Sequence, residues 1–249
     1  MKKIFPLIVA LTLSMGIFAA AGISKTSVSW YTCPTSDHSR PACPAEAPFL
    51  EENDAYYLGP DEKKVYLTFD LGYENENVFT ILDALKKHNA TAAFFLLSHE
   101  VENGDAINRI ISEGHLACNH TSHHPDMSKM ADKEAFRLEL STLEDKYREK
   151  TGEEMAKYYR PPQGVFSEQN LVWAKELGYK TVFWSLTWAD WDNSNQLPPE
   201  KALDILMSRL HNGAIILLHP ISDTNAEMMD EFLTRLEKEG YTFASLEEL

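Results

Sequence analysis

From Lys64 to the C-terminus, short apolar runs alternate with amphipathic segments, and this alternation constrains the fold more than any other feature of the chain. The run at 65–69 predicts a strand, and residues 78–88 follow as a helix with one apolar face. The same patterns predict strands at 92–97, 115–119, 181–186, 214–218 and 241–244, and helices at 106–113, 133–150 and 168–177. Repeated βα units imply an α/β fold with a parallel sheet and outer helices, either as an open doubly wound sheet or as a barrel.

The composition is that of one globular domain. The chain has 249 residues, of which 44% are hydrophobic and 24% are charged. Its formal net charge is -15, and no dense cluster of Lys and Arg interrupts the acidic balance. Because such a surface repels phosphates, we expect no nucleic acid partner and no attraction to an anionic membrane surface.

The first 22 residues have the order of a secretory signal peptide. Lys2 and Lys3 precede an uncharged apolar run that extends from Ile4 to Ala19, and small residues follow at 19–22. A retained membrane anchor is the alternative, because the run approaches the length that spans a bilayer. The small residues favour cleavage, so we expect the remaining chain to be exported and not to stay inserted in a membrane.

Residues 23–62 predict an irregular arm on the protein surface, with little catalytic content. Four prolines lie between positions 34 and 48, and the segment has little periodicity. Cys33 and Cys43 in this arm could form a disulfide in an oxidising compartment, and the sequence leaves that alternative open. Cys118 is left over and is expected to be a small buried apolar residue.

Ionisable residues follow the ends of the predicted strands, where the active sites of α/β folds lie. An ionisable residue at the end of a core strand is costly unless it is paired or functional. These positions therefore predict one polar site at the carboxyl edge of the sheet. The residues are Asp70, His120, Arg160, Asp190 and His219.

Two of the histidines have the spacing of metal ligands. His120 and His124 lie four residues apart, and a helical turn would bring both to one side, where they would suit a divalent metal such as zinc. His123 lies between them and is expected to face away. Without other support, this cluster could equally be a chance group of surface histidines.

Each of the other candidates also has a plain structural alternative. Asp70 could be a metal ligand, a general base or a turn residue. Arg160 could hold a carboxylate in a loop stiffened by prolines, or form a structural salt bridge. His219 could be a general acid or a core histidine. Asp190 could orient a histidine next to the aromatic ring of Trp191, which would suit a sugar, or form a surface turn.

Taken together and in this order, the residues resemble the polysaccharide deacetylase family of NodB-like enzymes. The resemblance covers residues 63–249, and within the family it is strongest to the delta-lactam-biosynthetic de-N-acetylases, which deacetylate muramic acid during spore cortex maturation. It implies a single catalytic domain folded as a distorted barrel of parallel strands and helices. The stretches that carry it are TFDLGYEN at 68–75, GH at 114–115, NHTSHHPD at 119–126, RPP at 160–162 and LLH at 217–219.

The resemblance implies a hydrolase that removes N-acetyl groups from the amino sugars of peptidoglycan, with N-acetylmuramic acid as the expected target. Peptidoglycan glycan strands would be its partner, and it would be secreted or associated with the cell wall. The implied catalytic residues are Asp70 as general base, Arg160 as the residue that holds it, His219 as general acid and Asp190 as the residue that tunes the acid.

The resemblance also implies a set of binding residues. His120 and His124 would bind a divalent metal ion such as zinc. The substrate would be bound by Tyr73, by Trp191 in the sugar cleft and by Gln163, whose backbone N–H would help to bind the oxyanion.

Two positions depart from the family pattern. Leu71 stands where the family usually has a second aspartate, and a leucine cannot bind a metal, although the delta-lactam branch commonly lacks this aspartate too. Gln163 stands where many relatives have an aromatic residue. The alternatives are therefore a glycan-binding pseudoenzyme, a chitin-type oligosaccharide deacetylase, and a glycosidase that pairs Asp70 with Asp190 or Asp192.

Overall fold

The structure is a computed structural model that describes residues 22–35 and 37–249. The predicted signal peptide lies outside these residues, except for Gly22 at its end. Among the helices of the described ranges, none combines the length and the apolar composition that a membrane span requires.

Strands and helices alternate along the described chain, as the sequence predicts. The strands are β1 (Val28–Ser29), β2 (Ala55–Tyr56), β3 (Lys64–Leu71), β4 (Ala92–Leu96), β5 (Leu116–Asn119), β6 (Ala156–Tyr159), β7 (Val165–Phe166), β8 (Lys180–Val182), β9 (Ala214–Leu218) and β10 (Thr242–Phe243). The α-helices are α1 (Glu76–Lys87), α2 (Ser98–Asn103), α3 (Ala106–Ser112), α4 (Lys133–Thr151), α5 (Glu168–Glu176), α6 (Pro199–Ser208) and α7 (Asp223–Lys238). The sequence patterns miss α2, α6 and α7, and β8 ends four residues earlier than predicted.

Eight of the strands form one sheet in which every strand pair is parallel. Its order is β10-β3-β4-β5-β6-β8-β2. The remaining strand, β9, pairs with the edge of β3 that lies opposite β4. Beyond β8 the chain continues along β9, where the Ser185 N–H donates to Ile215 O (2.9 Å) and the Leu217 N–H donates to Leu186 O (3.0 Å). The sheet therefore curls into a barrel that closes irregularly between β8 and β9. This confirms the distorted parallel barrel and decides against an open doubly wound sheet.

The two faces of β3 separate the barrel interior from the outer core. Phe69 and Leu71 lie in the large apolar cluster between the sheet and the helices. Tyr66 belongs to a smaller cluster inside the barrel. Because side chains alternate along a strand, Thr68 and Asp70 point inward with Tyr66. The barrel interior is thus apolar near the start of β3, where Tyr66 lies, and polar near the end of β3, where Thr68 and Asp70 lie.

The arm at 23–62 is more ordered than its sequence indicates. Its strand β2 adds to the edge of the barrel sheet next to β8, and β1 pairs antiparallel with β7. Trp30 is only 7% exposed and packs in a separate apolar cluster with Leu50, Phe166 and Phe183. Local periodicity could not reveal this order, because the strand partners of the arm, β7 and β8, are distant in sequence.

All three cysteines are free thiols. The disulfide that the sequence leaves open between Cys33 and Cys43 is therefore not formed. Cys118 is buried in the cluster inside the barrel, as expected for a small apolar residue. Burial raises the pKa of its thiol well above the ordinary value, so the group stays protonated.

Position 71 allows a test of which face of β3 meets the site. The Leu71 side chain is fully buried among apolar residues outside the barrel, where a carboxylate would have no partner. We expect Leu71→Asp to lower the free energy of unfolding by about 3 kcal/mol or more, measured by urea denaturation. The control Leu71→Met keeps the apolar volume and should cost less than about 1.5 kcal/mol. Unchanged stability of Leu71→Asp together with a higher zinc affinity would contradict the outward orientation.

Candidate active site

A cleft of about 450 Å³ opens at the carboxyl ends of the barrel strands. Six of the nine predicted site residues line it, and Arg160 and Asp190 lie directly behind two of those six. Tyr73 is not brought into the cleft, since its side chain is exposed next to His99. The lining residues are Asp70, His120, His124, Gln163, Gly164, Trp184, Thr187, Trp191, Leu217 and His219.

A larger cleft of about 650 Å³ lies at the opposite end of the barrel, near the amino ends of β3, β9 and β10. Its cationic groups already have partners within the chain. Arg40 donates to Gly59 O (2.6 Å), and Lys63 donates to Glu239 O (2.6 Å). We therefore locate the chemistry in the smaller cleft, where ionisable side chains face the open space.

Arg160 is fully buried and holds Asp70 in place. Its Nη1 donates to Asp70 Oδ1 (2.7 Å), its Nη2 donates to Thr68 Oγ1 (2.8 Å) and its Nε donates to Val182 O (2.9 Å). The guanidinium also lies 4.2 Å from the centre of the Phe95 ring. Because these contacts come from three strands, the guanidinium has one orientation, and so does the carboxylate that it binds.

The surroundings of Asp70 keep its carboxyl group ionised. Burial by itself raises the pKa of this group, but the charge and hydrogen bond of Arg160, together with the electrostatic effect of the His120 and His219 imidazoles, outweigh burial and hold the pKa below its ordinary value. The other oxygen, Oδ2, lies 3.6 Å from His120 Nε2. Asp70 is thus a charged proton acceptor at neutral pH with one oxygen free of Arg160.

His120 and His124 face each other at the edge of the cleft, with ring centroids 5.0 Å apart. His120 Nδ1 lies 2.8 Å from the carbonyl oxygen of Arg160, which can only accept, so Nδ1 carries the proton and Nε2 has a free lone pair. Burial lowers the pKa of both imidazoles, that of His120 to about 4. Both rings are therefore neutral at pH 7, which is the form that binds metals.

The histidine pair is not formed by a helical turn, and the expectation based on that spacing is wrong. Residues 120–124 are a loop in which Thr121 (φ 74°) and His124 (φ 57°) adopt left-handed backbone conformations. Local hydrogen bonds help to hold this loop: Thr121 N–H donates to Asn119 Oδ1 (2.9 Å), and His124 N–H donates to Thr121 Oγ1 (3.0 Å). His123 turns away, with its ring next to the Glu139 carboxylate. Such strained residues cluster at functional sites.

Within residues 22–35 and 37–249, no three His, Cys, Asp or Glu side chains are grouped closely enough to form a complete metal site. The donor chemistry nevertheless suits a divalent cation. Two neutral imidazoles, His120 and His124, line the cleft next to the Asp70 carboxylate. A cation held by the two histidines would complete its coordination with water or substrate oxygen.

His219 lies on the same cleft and is oriented by Asp190. Its Nδ1 is 2.7 Å from Asp190 Oδ1, and its backbone N–H donates to Asp190 Oδ2 (2.6 Å). Burial by itself lowers the pKa of His219, but the hydrogen bond and charge of Asp190, with the charge of Asp70, outweigh it and raise the pKa above the ordinary value. The imidazole of His219 therefore stays protonated to a higher pH than an ordinary histidine, with Nε2 as the nitrogen that Asp190 does not bind.

Two residues that the sequence did not indicate support Asp190. Asn225 Nδ2 donates to Asp190 Oδ2 (2.6 Å), and Trp188 Nε1 donates to Asn225 Oδ1 (3.0 Å). Asn225 belongs to α7, which the sequence patterns miss, so no local signal marked it. Asp190 is consequently buried behind His219, with its carboxylate fully engaged.

The remaining wall of the cleft is largely aromatic. Trp191 lines it and is 65% exposed, which suits stacking on a sugar ring. Trp184 and Leu217 are further lining residues that the sequence analysis missed, although both lie within predicted strands. Gln163 lies at the rim in a left-handed conformation (φ 58°, ψ 9°). The role of its backbone N–H stays a prediction.

Comparisons with known proteins agree with this geometry. Residues 58–182 match the sequence model of a family described as polysaccharide deacetylase. The chain is 41% identical to the peptidoglycan-N-acetylmuramic acid deacetylase PdaA of Bacillus subtilis (strain 168), over 96% of this chain and 92% of that protein.

The structure of Bacillus subtilis PdaA, a family 4 carbohydrate esterase, superimposes with a TM-score of 0.85 at 40% identity, covering 91% of this chain and 98% of that one. A family 4 carbohydrate esterase from Bacillus anthracis superimposes with a TM-score of 0.76 at 36% identity, covering 92% and 98%. The chain therefore belongs to the polysaccharide deacetylase family.

Proposed function

We propose that this protein hydrolyses the N-acetyl groups of peptidoglycan amino sugars and that N-acetylmuramic acid is its target. One observation carries the proposal: a carboxylate held by Arg160 and an imidazole held by Asp190 line the same cleft. Hydrolysis of an amide needs both a base for the attacking water and an acid for the departing amine. The similarity to PdaA over most of both chains supports the choice of substrate.

In the proposed mechanism Asp70 accepts a proton from water, and the water oxygen attacks the carbonyl carbon of the acetyl group. Arg160 keeps Asp70 ionised and fixes the direction of its carboxylate. His120 and His124 would hold a divalent metal such as zinc, which when bound would polarise the carbonyl and the water. The Gln163 N–H is proposed to donate to the oxyanion.

His219 then completes the reaction as the general acid. Its Nδ1 is held by Asp190, so the proton for the leaving nitrogen comes from Nε2. As the nitrogen accepts this proton, the bond between the carbonyl carbon and the nitrogen breaks. The products are acetate and a sugar with a free amine.

The sugar would stack against Trp191, the exposed aromatic side chain of the cleft. Tyr73, whose ring centroid is 5.4 Å from that of His99, lies outside the cleft. We therefore assign Tyr73 to a more distant part of the glycan strand.

Export of the protein belongs to the same proposal. The signal-like order of residues 1–22 supports transfer across the cytoplasmic membrane, with a secreted or cell-wall-associated product. The TFDLGYEN run at 68–75 resembles the delta-lactam branch, which supports a role in spore cortex formation during sporulation. This last step rests on resemblance.

The proposed function is tested by incubating the protein with defined peptidoglycan fragments, with and without stem peptides, followed by mass spectrometry. We expect loss of acetyl groups from muramic acid residues that lack a peptide. Asp70→Asn should slow this loss by roughly 10²-fold or more, because it removes the base and keeps the shape. Circular dichroism checks that the variant is folded.

Other products would contradict the proposal in distinguishable ways. Glycan that is bound but unchanged would identify a pseudoenzyme, and new reducing ends would identify a glycosidase. Equal or better activity on chitin oligomers would identify a chitin-type deacetylase.

The raised pKa of His219 predicts a specific pH dependence. The acid form of His219 is present below its pKa, so activity should fall as the pH rises through that raised value. Asp190→Asn removes the charge that raises the pKa of His219 and should move this alkaline limb of kcat/KM to lower pH. Asp192→Asn is the matched control, because the Asp192 side chain is exposed and accepts a hydrogen bond from Ser194. The alkaline limb of this variant should stay at the wild-type pH. If the alkaline limb of the Asp190→Asn profile lay at the wild-type pH, His219 would be excluded as the general acid.

The two-histidine site predicts weak and reversible metal binding. With only His120 and His124 as assured protein ligands, mild chelation should remove activity and added divalent metal should restore it. Calorimetric titration of the metal-free protein with zinc should show binding that His124→Ala abolishes. His123→Ala is the control, because His123 faces Glu139, and it should bind zinc normally. Tight zinc binding that survives His124→Ala would show that the ligands lie elsewhere.

A further inference from the structure

The rim of the cleft contains a tight turn that is held by local hydrogen bonds, from Gly164 N–H to Pro161 O (3.0 Å) and from Val165 N–H to Pro162 O, and that also contacts the N-terminal arm. Gln163 and Gly164 adopt successive left-handed conformations, with φ of 58° and 66°. A side chain at position 164 would meet Trp184 at 2.8 Å and Trp30 at 3.2 Å. A non-glycine residue such as Gln163 keeps this conformation only when its surroundings hold it there.

The N-terminal arm supplies the surroundings. The backbone N–H of Trp30 donates to Gly164 O (2.8 Å), which ties the arm directly to the turn and is kept in every variant at position 30. The indole Nε1 of Trp30 donates to Trp184 O (2.9 Å), and Trp184 lines the cleft. Trp30 therefore bonds both of the segments that build this wall.

Ring stacking also connects Trp30 to the segment that bonds Arg160, the residue that holds Asp70. The Trp30 and Phe183 rings are stacked, with centroids 4.7 Å apart and an interplanar angle of 26°. The carbonyl oxygens of Phe183 and Val182 accept hydrogen bonds from Arg160. The indole thus packs against the backbone segment that also holds the guanidinium.

We propose that Trp30 is a positioning residue for the reaction, and that it acts by holding the turn at Gln163 and Gly164 in the geometry needed for the transition state. Trp30 lies upstream of residues 58–182, where the family sequence model matches, and in an arm whose sequence suggests little catalytic content. The inference rests on the proposed deacetylation, in which the Gln163 N–H binds the oxyanion. A contact made only in the transition state affects kcat rather than substrate binding.

The test measures kcat and KM for acetate release from peptidoglycan fragments by the full mature chain. Trp30→Ala and Trp30→Leu each remove the stacking and the indole N–H. Both should lower kcat by about 10- to 100-fold, with KM changed by less than about 3-fold, since small misplacements of a catalytic group have effects of this size. Trp30→Phe keeps the ring on Phe183 and should recover at least part of the lost kcat. If the alanine variant does not fold, kcat and KM of the leucine variant provide the test.

Leu50→Ala is the matched control for loss of stability. Leu50 is buried in the same apolar cluster as Trp30, and its side chain has no donor that could bond the Trp184 carbonyl as the Trp30 indole does. At a temperature where all the variants are folded, Leu50→Ala should keep wild-type kcat. The inference is overturned if kcat of the leucine variant stays within about 2-fold of wild type, if only KM changes, or if Leu50→Ala loses as much kcat. A wild-type protein that releases no acetate would instead overturn the proposed function itself.

Discussion

The buried contact between Arg160 and Asp70 is the constraint on which the site depends. A guanidinium without solvent exposure must have its donors satisfied, and here Thr68, two backbone carbonyls and the Asp70 carboxylate satisfy them. Loss of one partner of such a pair typically costs about 3–5 kcal/mol, because the other charge is left buried. The carbonyl of Arg160 also accepts from His120. One residue therefore orients both the Asp70 carboxylate and the His120 imidazole.

The two buried carboxylates of the site differ because their surroundings differ. Asp70 faces the cleft, with one oxygen on Arg160 and the other near His120. Asp190 lies behind His219 and uses its oxygens to bind His219 and Asn225. The first carboxylate can exchange a proton with a bound molecule, whereas the second acts only by stabilising the imidazolium. This division argues against a glycosidase that would use Asp190 as its second carboxylate.

The sequence by itself determined the class of fold, because the βα periodicity has one common solution, a parallel sheet with outer helices. It did not determine the closure of the sheet, which depends on the pairing of Leu186 with Ile216 between distant segments. It also could not show which way Leu71 faces. Strands buried on both faces are apolar throughout, so alternation cannot be seen in them. The order of the N-terminal arm could not be predicted for a related reason, since the hydrogen-bond partners of Trp30 lie more than a hundred residues away.

The chemical groups of the site were likewise readable from the sequence, because ionisable residues at strand ends are costly unless they are used. Their mutual geometry was not. His120 and His124 meet through a left-handed loop, which no glycine marks, and not through a helical turn. Asn225 reaches Asp190 from α7, an element that only the folded chain brings next to it. The sequence determined which groups are present, and tertiary structure decided their protonation and direction, because both depend on burial and on neighbours distant along the chain.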